Sequence, residues 1–233
     1  MRPQVRVLDD PAAAAADVLI DAAAGAGQIA LAGGSTPRAA YLRAAGAEVD
    51  WSRAVLWFGD DRCVPPDHEH SNYRMVCESL LDRLAGEPPV VRRIEGELGP
   101  GEAAERYEAE LRAAFGAGLP ELDLVLLGIG PDAHTASLFP GDAALDERER
   151  LAVGVETPGM APIVPRVTLT LPVLNRARRV VFLVEGEDKA EAVARAFDGR
   201  PDPGAPASLV QPESGALELL VDPAAASALE PGQ

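Results

Sequence analysis

Two side chains suited to acid–base chemistry follow an apolar run of the sequence. His134 comes soon after the run Leu124-Val-Leu-Leu127, and Asp132 precedes it by two residues. A neutral imidazole is the side chain best suited to accept a proton near pH 7, and a close carboxylate can shape its surroundings. A mid-chain histidine is more often structural, but a position just past a buried strand favours catalysis. We therefore predict that His134 is a general base with Asp132 beside it.

A glycine-rich segment has the chemistry of an anion cradle. In Gly33-Gly-Ser-Thr-Pro37, Gly33 and Gly34 let backbone amides approach a ligand, and Ser35 and Thr36 add hydroxyl donors. The start of the following helix would contribute positive potential. No Gly-Lys-Ser/Thr follows, so the segment is not a Walker A loop. A tight strand-to-helix turn is the alternative interpretation, and the spacing leaves both open.

Two cations stand in polar segments of the same kind. Arg62 follows Asp60 and Asp61, and Lys189 is the only lysine among 21 basic residues. Arg62 forms either a local ion pair or a guanidinium held by those carboxylates and aimed at an anionic ligand. A chain that prefers arginine could keep one lysine because a compact point charge is needed there, or by chance.

The elements that must position these residues alternate between short apolar runs and helical stretches, which predicts an α/β protein with a mostly parallel sheet flanked by helices. The predicted strands cover 5–8, 28–32, 54–58, 90–94, 122–127, 179–184 and 216–221. The predicted helices cover 11–24, 37–45, 72–84, 102–115 and 188–197. Four of the strands end in polar or glycine-rich segments. Ligands of such sheets bind beyond the carboxyl ends of strands, so these segments are expected to share one crevice.

Composition excludes several classes of protein. The 233 residues carry 37 acidic and 21 basic side chains, a net charge of −16, which disfavours nucleic acids and anionic membranes as partners. The start of the chain does not look like a signal peptide, and no apolar run is long enough for a membrane span. Two cysteines without metal-ligand spacing indicate a reduced, cytoplasmic compartment. We expect one domain over 1–233; the sequence does not determine the oligomeric state.

Two further motifs are weak. Gly128-Ile-Gly-Pro-Asp-Ala matches the dinucleotide fingerprint by letter, but Pro131 removes a backbone donor where a pyrophosphate would need one. His68 and His70 lie in an acidic, proline-bearing segment and lack an obvious third ligand. We therefore predict no metal site there.

Several segments together carry a resemblance that spans nearly the whole chain. They are Leu31-Ala-Gly-Gly-Ser-Thr-Pro37, Trp57-Phe-Gly-Asp-Asp-Arg-Cys-Val-Pro65 with Ser71-Asn-Tyr73, Leu127-Gly-Ile-Gly-Pro-Asp-Ala-His-Thr-Ala-Ser-Leu-Phe-Pro140, Pro165-Arg-Val-Thr-Leu-Thr170, Phe182-Leu-Val-Glu-Gly-Glu-Asp-Lys189 and Pro206-Ala-Ser-Leu-Val210. In this order they resemble the glucosamine-6-phosphate isomerase/6-phosphogluconolactonase family. The resemblance implies a Rossmann-like, glucosamine-6-phosphate deaminase-like fold. It also implies hydrolysis of the sugar-phosphate lactone 6-phospho-D-glucono-1,5-lactone, with no metal and no organic cofactor.

For this reaction we expect the following residue roles. His134 would activate the attacking water, while Asp132 and Asp60 orient the imidazole or the sugar hydroxyls. Arg62 or backbone amides would stabilise the oxyanion. The substrate phosphate would be held by the glycine-rich loop, with Gly33, Gly34, Ser35 and Thr36, together with Arg166 and Lys189; Arg62 is a further candidate for this role.

Two positions depart from the family pattern, and a third distinguishes between activities within the family. Ala133 stands where the family usually has glycine, and Asp61 where glutamate is commoner. The deaminases of the group have a carboxylate where this chain has Phe139, and an apolar ring there can neither orient an imidazole nor relay a proton. Lactone hydrolysis is therefore favoured over two alternatives, a sugar-phosphate isomerase or deaminase and a non-catalytic sugar-phosphate sensor.

Overall fold

The fold is built around two sheets, seen in a computed structural model that describes residues 2–230. The strands of the described residues are β1 Gln4–Val7, β2 Gln28–Leu31, β3 Val55–Phe58, β4 Asp60–Arg62, β5 Val90–Val91, β6 Leu124–Leu127, β7 Ala152–Val155, β8 Arg166–Leu169, β9 Arg179–Val184 and β10 Ala216–Val221. Seven of them form a sheet in the order β1-β10-β9-β6-β2-β3-β5, and each neighbouring pair is parallel. The predicted mostly parallel sheet is confirmed.

Helices connect these strands. The α-helices are α1 Pro11–Ala24, α2 Ser35–Ala44, α3 Asn72–Ser79, α4 Pro100–Phe115, α5 Leu171–Arg176 and α6 Ala190–Phe197. Short 3₁₀ helices cover Leu81–Arg83, Gly96–Leu98, Ala143–Asp146, Glu187–Lys189 and Pro206–Leu209. Their starts have local causes: the Asp10 carboxylate accepts from Ala13 N at 3.0 Å at α1, and the Ser71 hydroxyl accepts from Arg74 N at 3.2 Å at α3.

The predicted elements differ from the observed ones mainly at their ends. All seven predicted strands are present, but β5 keeps only two of the five predicted residues. The helix predicted over 72–84 stops at Ser79 and continues as the 3₁₀ turn Leu81–Arg83. Helix α2 begins at Ser35, two residues before the predicted start, because Gly34 takes the cap position with a φ of 110°.

A second sheet was not predicted. Strands β4, β8 and β7 pair antiparallel in that order, and Asp60 lies opposite Thr168 in the register of β4 and β8. Strands β4 and β8 have three and four residues and carry polar side chains at buried positions, so they show neither alternation nor a continuous apolar run. Their pairing across about a hundred residues of chain is a tertiary effect.

Two buried tyrosines hold the ends of the central strands where the polar segments begin. The Tyr41 hydroxyl donates to Ala32 O at 2.8 Å and accepts from Ala32 N at 3.0 Å, just after β2. Tyr107 does the same for Phe58 at the end of β3, at 2.9 and 2.8 Å. Backbone groups that leave the ladder thus stay satisfied inside the protein, and the loops that follow have fixed starting points.

The described part of the chain offers no helix suited to cross a membrane. Cys63 and Cys77 are free thiols. The single domain over 1–233, the cytoplasmic location and the absence of nucleic-acid or membrane partners stay predictions.

Candidate active site

The polar segments meet in one pocket of about 200 Å³ at the carboxyl ends of the parallel strands. Strands β2 and β6 are neighbours, and the chain moves away from them in opposite directions along the sheet, so the pocket lies at the topological switch point. Its lining comes from all four predicted segments and from the second sheet: Gly33, Gly34, Asp60, Arg62, Asn72, Gly128, Gly130, His134, Met160, Arg166 and Lys189. The expectation of a shared crevice is confirmed.

His134 and Asp132 form a hydrogen-bonded pair in the loop after β6. The imidazole Nδ1 lies 2.6 Å from Asp132 Oδ1, and the same oxygen accepts the backbone N–H of His134 at 3.1 Å. Burial raises the pKa of Asp132, but its contacts with His134 outweigh this and hold that pKa below its usual range. An ionised Asp132 places the imidazole proton on Nδ1, and Nε2 is then free to accept a proton.

The imidazole of His134 is largely buried, with 13% of the side chain exposed. Burial lowers the pKa of His134, and Arg166 lowers it further, while Asp132 and Asp60 act in the opposite direction. The net direction is downward, so the imidazole is neutral at pH 7. A neutral imidazole oriented by a carboxylate has the protonation state that a general base requires.

The backbone around His134 is unusual on both sides. A Cβ added to Gly130 would lie 2.1 Å from His134 Nδ1, so only glycine lets the imidazole and Asp132 pack here. Ala133 has a φ of 65° and Ala136 a φ of 47°, both in the left-handed region that disfavours side chains other than glycine. The position where the family usually has glycine is therefore left-handed here as well, with an alanine in it.

Arg62 is held by an amide and a carbonyl, which corrects the expectation that neighbouring carboxylates hold it. Its Nη1 donates to the side-chain oxygen of Asn72 and to His70 O, the latter at 3.3 Å, while its buried Nε has no partner among the described residues. Asn72 Nδ2 donates in turn to Asp60 O at 2.9 Å. Sequence reasoning did not assign a role to Asn72; its only signal was the Ser-Asn-Tyr segment in the family resemblance.

Asp61 holds the backbone segments that carry Arg62 and Asn72. Its buried carboxylate accepts the backbone N–H groups of Arg62 and Asn72, both at 2.7 Å, and that of Tyr73 at 3.0 Å. Burial raises the pKa of Asp61 to about 6 in spite of these bonds. Asp61 thus ties the first turn of α3 to β4, and so places Asn72 beside Arg62.

Two arginines are paired on neighbouring strands of the second sheet. Arg62 and Arg166 are direct partners in the antiparallel register of β4 and β8, and both line the pocket. Arg166 is 3% exposed, and its buried Nε finds no hydrogen-bond partner within residues 2–230. Like charges directly opposite one another destabilise a strand pair, so the arrangement favours a bound anion between them. Lys189 lines the same pocket from the turn after β9, and its Nζ lies 3.2 Å from Asp188.

Asp60 adds a buried carboxylate to the pocket. It is 6% exposed, and its Oδ2 accepts from the Ser137 hydroxyl at 2.6 Å. Ser137 N is itself bonded to the Thr168 hydroxyl at 3.2 Å, which ties the loop after His134 to the second sheet. Asp60 is therefore fixed in a position that faces the same space as His134.

The residues of the glycine-rich loop do not all line the main pocket. Gly33 and Gly34 line the main pocket, and a Cβ at Gly33 would lie 2.1 Å from Asn72 Oδ1, so glycine is needed for that contact. Ser35 lines a neighbouring cavity of about 230 Å³, which shares Gly34, Arg62 and Asn72 with the main one and also contains Arg38. Thr36 lines neither cavity. Sequence reasoning overlooked Arg38, although it follows the Ser-Thr-Pro sequence directly.

The residues that the structure describes contain no cluster of three or more metal-ligating side chains. The absence of a metal and of an organic cofactor stays an expectation from the family resemblance. The pocket is lined by a neutral imidazole, one carboxylate and three cations, and a second carboxylate, Asp132, binds the imidazole from behind the lining. Such a site can bind a phosphorylated, hydroxylated ligand and abstract a proton near it.

Comparison with known proteins agrees with this chemistry. Residues 6–219 match the family model described as glucosamine-6-phosphate isomerases/6-phosphogluconolactonase. A human 6-phosphogluconolactonase is 45% identical over 180 residues, covering 76% of this chain and 69% of that protein. A 6-phosphogluconolactonase from Nostoc is 39% identical over 206 residues, covering 86% of this chain and 84% of that protein.

Solved structures extend the likeness to the whole fold. A 6-phosphogluconolactonase from Trypanosoma cruzi superposes with a TM-score of 0.84 at 27% identity and covers 97% of this chain and 96% of its own. A monomeric glucosamine-6-phosphate deaminase superposes with a TM-score of 0.82 at 20% identity, covering 98% of this chain and all of its own, which supports the fold alone. The expected Rossmann-like, deaminase-like α/β fold is confirmed.

Proposed function

Because the chain belongs to the glucosamine-6-phosphate isomerase/6-phosphogluconolactonase family, we propose that it is a lactonase. It hydrolyses 6-phospho-D-glucono-1,5-lactone to 6-phospho-D-gluconate, the second step of the oxidative pentose phosphate pathway. The observation that carries the proposal is that His134, paired with Asp132, lines the same pocket as Arg62, Arg166 and Lys189. Curated relatives named 6-phosphogluconolactonase, at 39–45% identity, support the choice of substrate.

His134 acts in this proposal as the general base. Its Nε2 takes a proton from water as the water oxygen attacks the lactone carbonyl carbon, and Asp132 stabilises the imidazolium that forms. The ring ester bond then breaks, and the leaving oxygen receives a proton to become a hydroxyl. A lactone hydrolyses without a covalent intermediate, so the water and the base suffice. A positioned base contributes about 10²- to 10⁴-fold in rate.

The cations divide two tasks between them. Lys189, Arg166 and the glycine-rich loop bind the 6-phosphate, which places the distant carbonyl by binding energy. Arg62 or backbone amides stabilise the oxyanion that develops as water attacks. Asp60, fixed by Ser137, accepts hydrogen bonds from the sugar hydroxyls.

The test is a lactonase assay on freshly generated 6-phosphogluconolactone, corrected for spontaneous hydrolysis. The purified chain should accelerate hydrolysis, and His134→Ala should lower kcat by about 10²-fold or more. His68→Ala is the matched control, because His68 lies in the loop before α3 and lines no part of the pocket. Activity of His134→Ala within a few-fold of the wild type would remove His134 from the role of base.

Two outcomes would replace the proposal. Release of ammonia from glucosamine 6-phosphate would identify a deaminase. Stabilisation by 6-phosphogluconate in a thermal-shift experiment, without turnover of the lactone, would identify a sugar-phosphate sensor.

A further inference from the structure

The phenyl ring of Phe139 contacts the imidazole of His134. The two ring centroids are 4.5 Å apart, and the ring planes are inclined by 34°. The sequence predicts that an apolar ring at this position neither orients the imidazole nor relays a proton, yet the ring packs directly against the imidazole. Phe139 is 2% exposed, so its ring also covers part of the imidazole from water.

The ring of Phe139 is itself fixed by two further neighbours. The guanidinium carbon of Arg166 lies 5.3 Å from the ring centroid, within the range of a cation–π contact. A Cβ at Gly159 would lie 3.2 Å from Phe139 Cδ1, so the backbone there closes against the ring. Arg166 Nη2 donates to Met160 O and Pro162 O at 3.1 and 3.3 Å, which holds the guanidinium in place. The ring therefore has little room to turn.

The charged groups around His134 make it important that the Phe139 ring shields the imidazole from water. Asp132 and Asp60 both favour the imidazolium, which cannot serve as a base, whereas Arg166 disfavours it. Water around the imidazole would also favour the charged form, because burial penalises it. Keeping the imidazole neutral between two carboxylates thus depends on the groups that exclude water from it.

We propose that Phe139 is a positioning residue for the base, because its ring holds the plane of the His134 imidazole and shields it from water, with Arg166 holding the ring. The inference rests on the proposed function, since it takes His134 as the base of the lactonase. Phe139 touches no reacting atom and acts only through His134.

The experiment is a titration of the histidine side chains by NMR in the wild type and in Phe139→Leu. Leucine keeps an apolar side chain but removes the ring, so water reaches the imidazole and the pKa of His134 should rise toward its ordinary value of about 6.5. The His134 signal is assigned from its loss in His134→Gln. His68 and His70 do not line the pocket, and their signals serve as internal references.

A matched variant in the core distinguishes the change in the pKa of His134 from a general loss of packing. Phe197→Leu also removes a buried ring, which packs edge-on against Phe182 with centroids 5.1 Å apart, away from the pocket. It should leave the titration of His134 unchanged. Phe139→Met provides a second ringless side chain if Phe139→Leu does not fold, and thermal unfolding checks every variant.

Kinetics provide a readout that lost packing alone would not produce. Phe139→Leu should lower kcat about tenfold, a part of what a positioned base contributes, with a smaller change in KM. It should also shift the acid limb of the profile of kcat/KM against pH to higher pH. Phe197→Leu should do neither.

The outcomes separate the inference from the proposed function. A wild-type lactonase whose His134 titrates identically in Phe139→Leu and Phe139→Met would overturn the role of Phe139 alone. An equal shift of the His134 pKa in Phe197→Leu would also overturn the role of Phe139. An inactive wild type with a shifted titration would overturn the proposed function while upholding the effect of Phe139 on His134.

Discussion

The Asp132 carboxylate binds the imidazole and the backbone of His134 through a single oxygen. Oδ1 lies 2.6 Å from the imidazole Nδ1 and 3.1 Å from the amide nitrogen of the same residue. Asp132 thus sets the tautomer of the imidazole and ties the ring to its own backbone, while Phe139 packs against the ring plane. The effect of these two contacts on activity can be measured.

The activity should depend on pH through the neutral form of His134. The pKa of His134 lies below its usual value, mainly through burial, so kcat/KM should fall only as the pH drops below about 6.5. Asp132 raises that pKa, and Asp132→Asn should therefore move the acid limb to lower pH while also lowering kcat, because the proton on Nδ1 is no longer held by a charge. A limb that moves to higher pH in Asp132→Asn would contradict this account. The measurement is a pH–rate profile corrected for spontaneous hydrolysis.

Gly130→Ala should inactivate the enzyme without unfolding it. The new Cβ would lie 2.1 Å from His134 Nδ1 and 2.2 Å from Cε1, so the imidazole must move away from Asp132. We expect kcat to fall by about 10²-fold or more, approaching His134→Ala. Gly101→Ala is the control, because no atom lies within 4 Å of its new Cβ, and it should keep full activity. Equal activity of the two variants would refute the geometry of the pair.

Lys189→Ala should act mainly on KM. If Lys189 binds the 6-phosphate, its loss removes a charge-assisted hydrogen bond worth about 1.5–3 kcal/mol, or roughly 10- to 100-fold in affinity. Inorganic phosphate should also stabilise the variant less than the wild type in thermal unfolding. Arg43→Ala is the control, since Arg43 pairs with Asp10 on the surface. An unchanged KM in Lys189→Ala would count against the phosphate role.

Asn72→Ala should release Arg62. The variant loses the acceptor for Arg62 and the donor to Asp60 O, so Arg62 would have only His70 O at 3.3 Å to hold it. We expect kcat/KM to fall about tenfold, within the range for an unsatisfied buried partner. Asn175→Ala is the matched control for Asn72→Ala, because the Asn175 side chain also makes two hydrogen bonds, to Leu209 O and from Gln211 N. It should lower the melting temperature and leave kcat/KM unchanged; a similar fall in both variants would exclude a specific effect on Arg62.

Left-handed alanines offer a test of backbone strain. Ala26 has a φ of 57° in a half-exposed turn, and Ala133 has a φ of 65° with its methyl group fully buried. Glycine relieves about 1–2 kcal/mol of strain at either site, but at position 133 it also loses about 0.8 kcal/mol of methyl burial. Ala26→Gly should therefore raise the free energy of unfolding by more than Ala133→Gly does. Ala45→Gly, at a φ of −62°, relieves no left-handed strain and should not raise it.

Denaturant unfolding of the three variants decides this point. A gain from Ala133→Gly equal to that from Ala26→Gly would show that burial of the methyl group at position 133 contributes nothing. A gain from Ala45→Gly would contradict the strain argument itself.

Local patterns sufficed to predict the parallel sheet and the pairing of His134 with Asp132. Runs such as Leu124-Val-Leu-Leu127 and the apolar stretch of β9 are long enough to indicate strands buried on both faces. Because a parallel sheet gathers the carboxyl ends of its strands at one edge, the segments that follow them were expected to meet. His134 and its partner Asp132 lie in one of those segments, so their association is local in sequence.

Only the tertiary structure decided how the cations and the imidazole are held. Asn72 meets Arg62 because Asp61 pins the start of α3 to β4, and Arg166 faces Arg62 because strands a hundred residues apart pair in one register. Phe139 contacts His134 because Arg166 and Gly159 close around its ring. Such contacts join short polar segments that have no hydrophobic period of their own. Their free energy comes from packing and hydrogen bonds between distant parts of the chain, which no local pattern records.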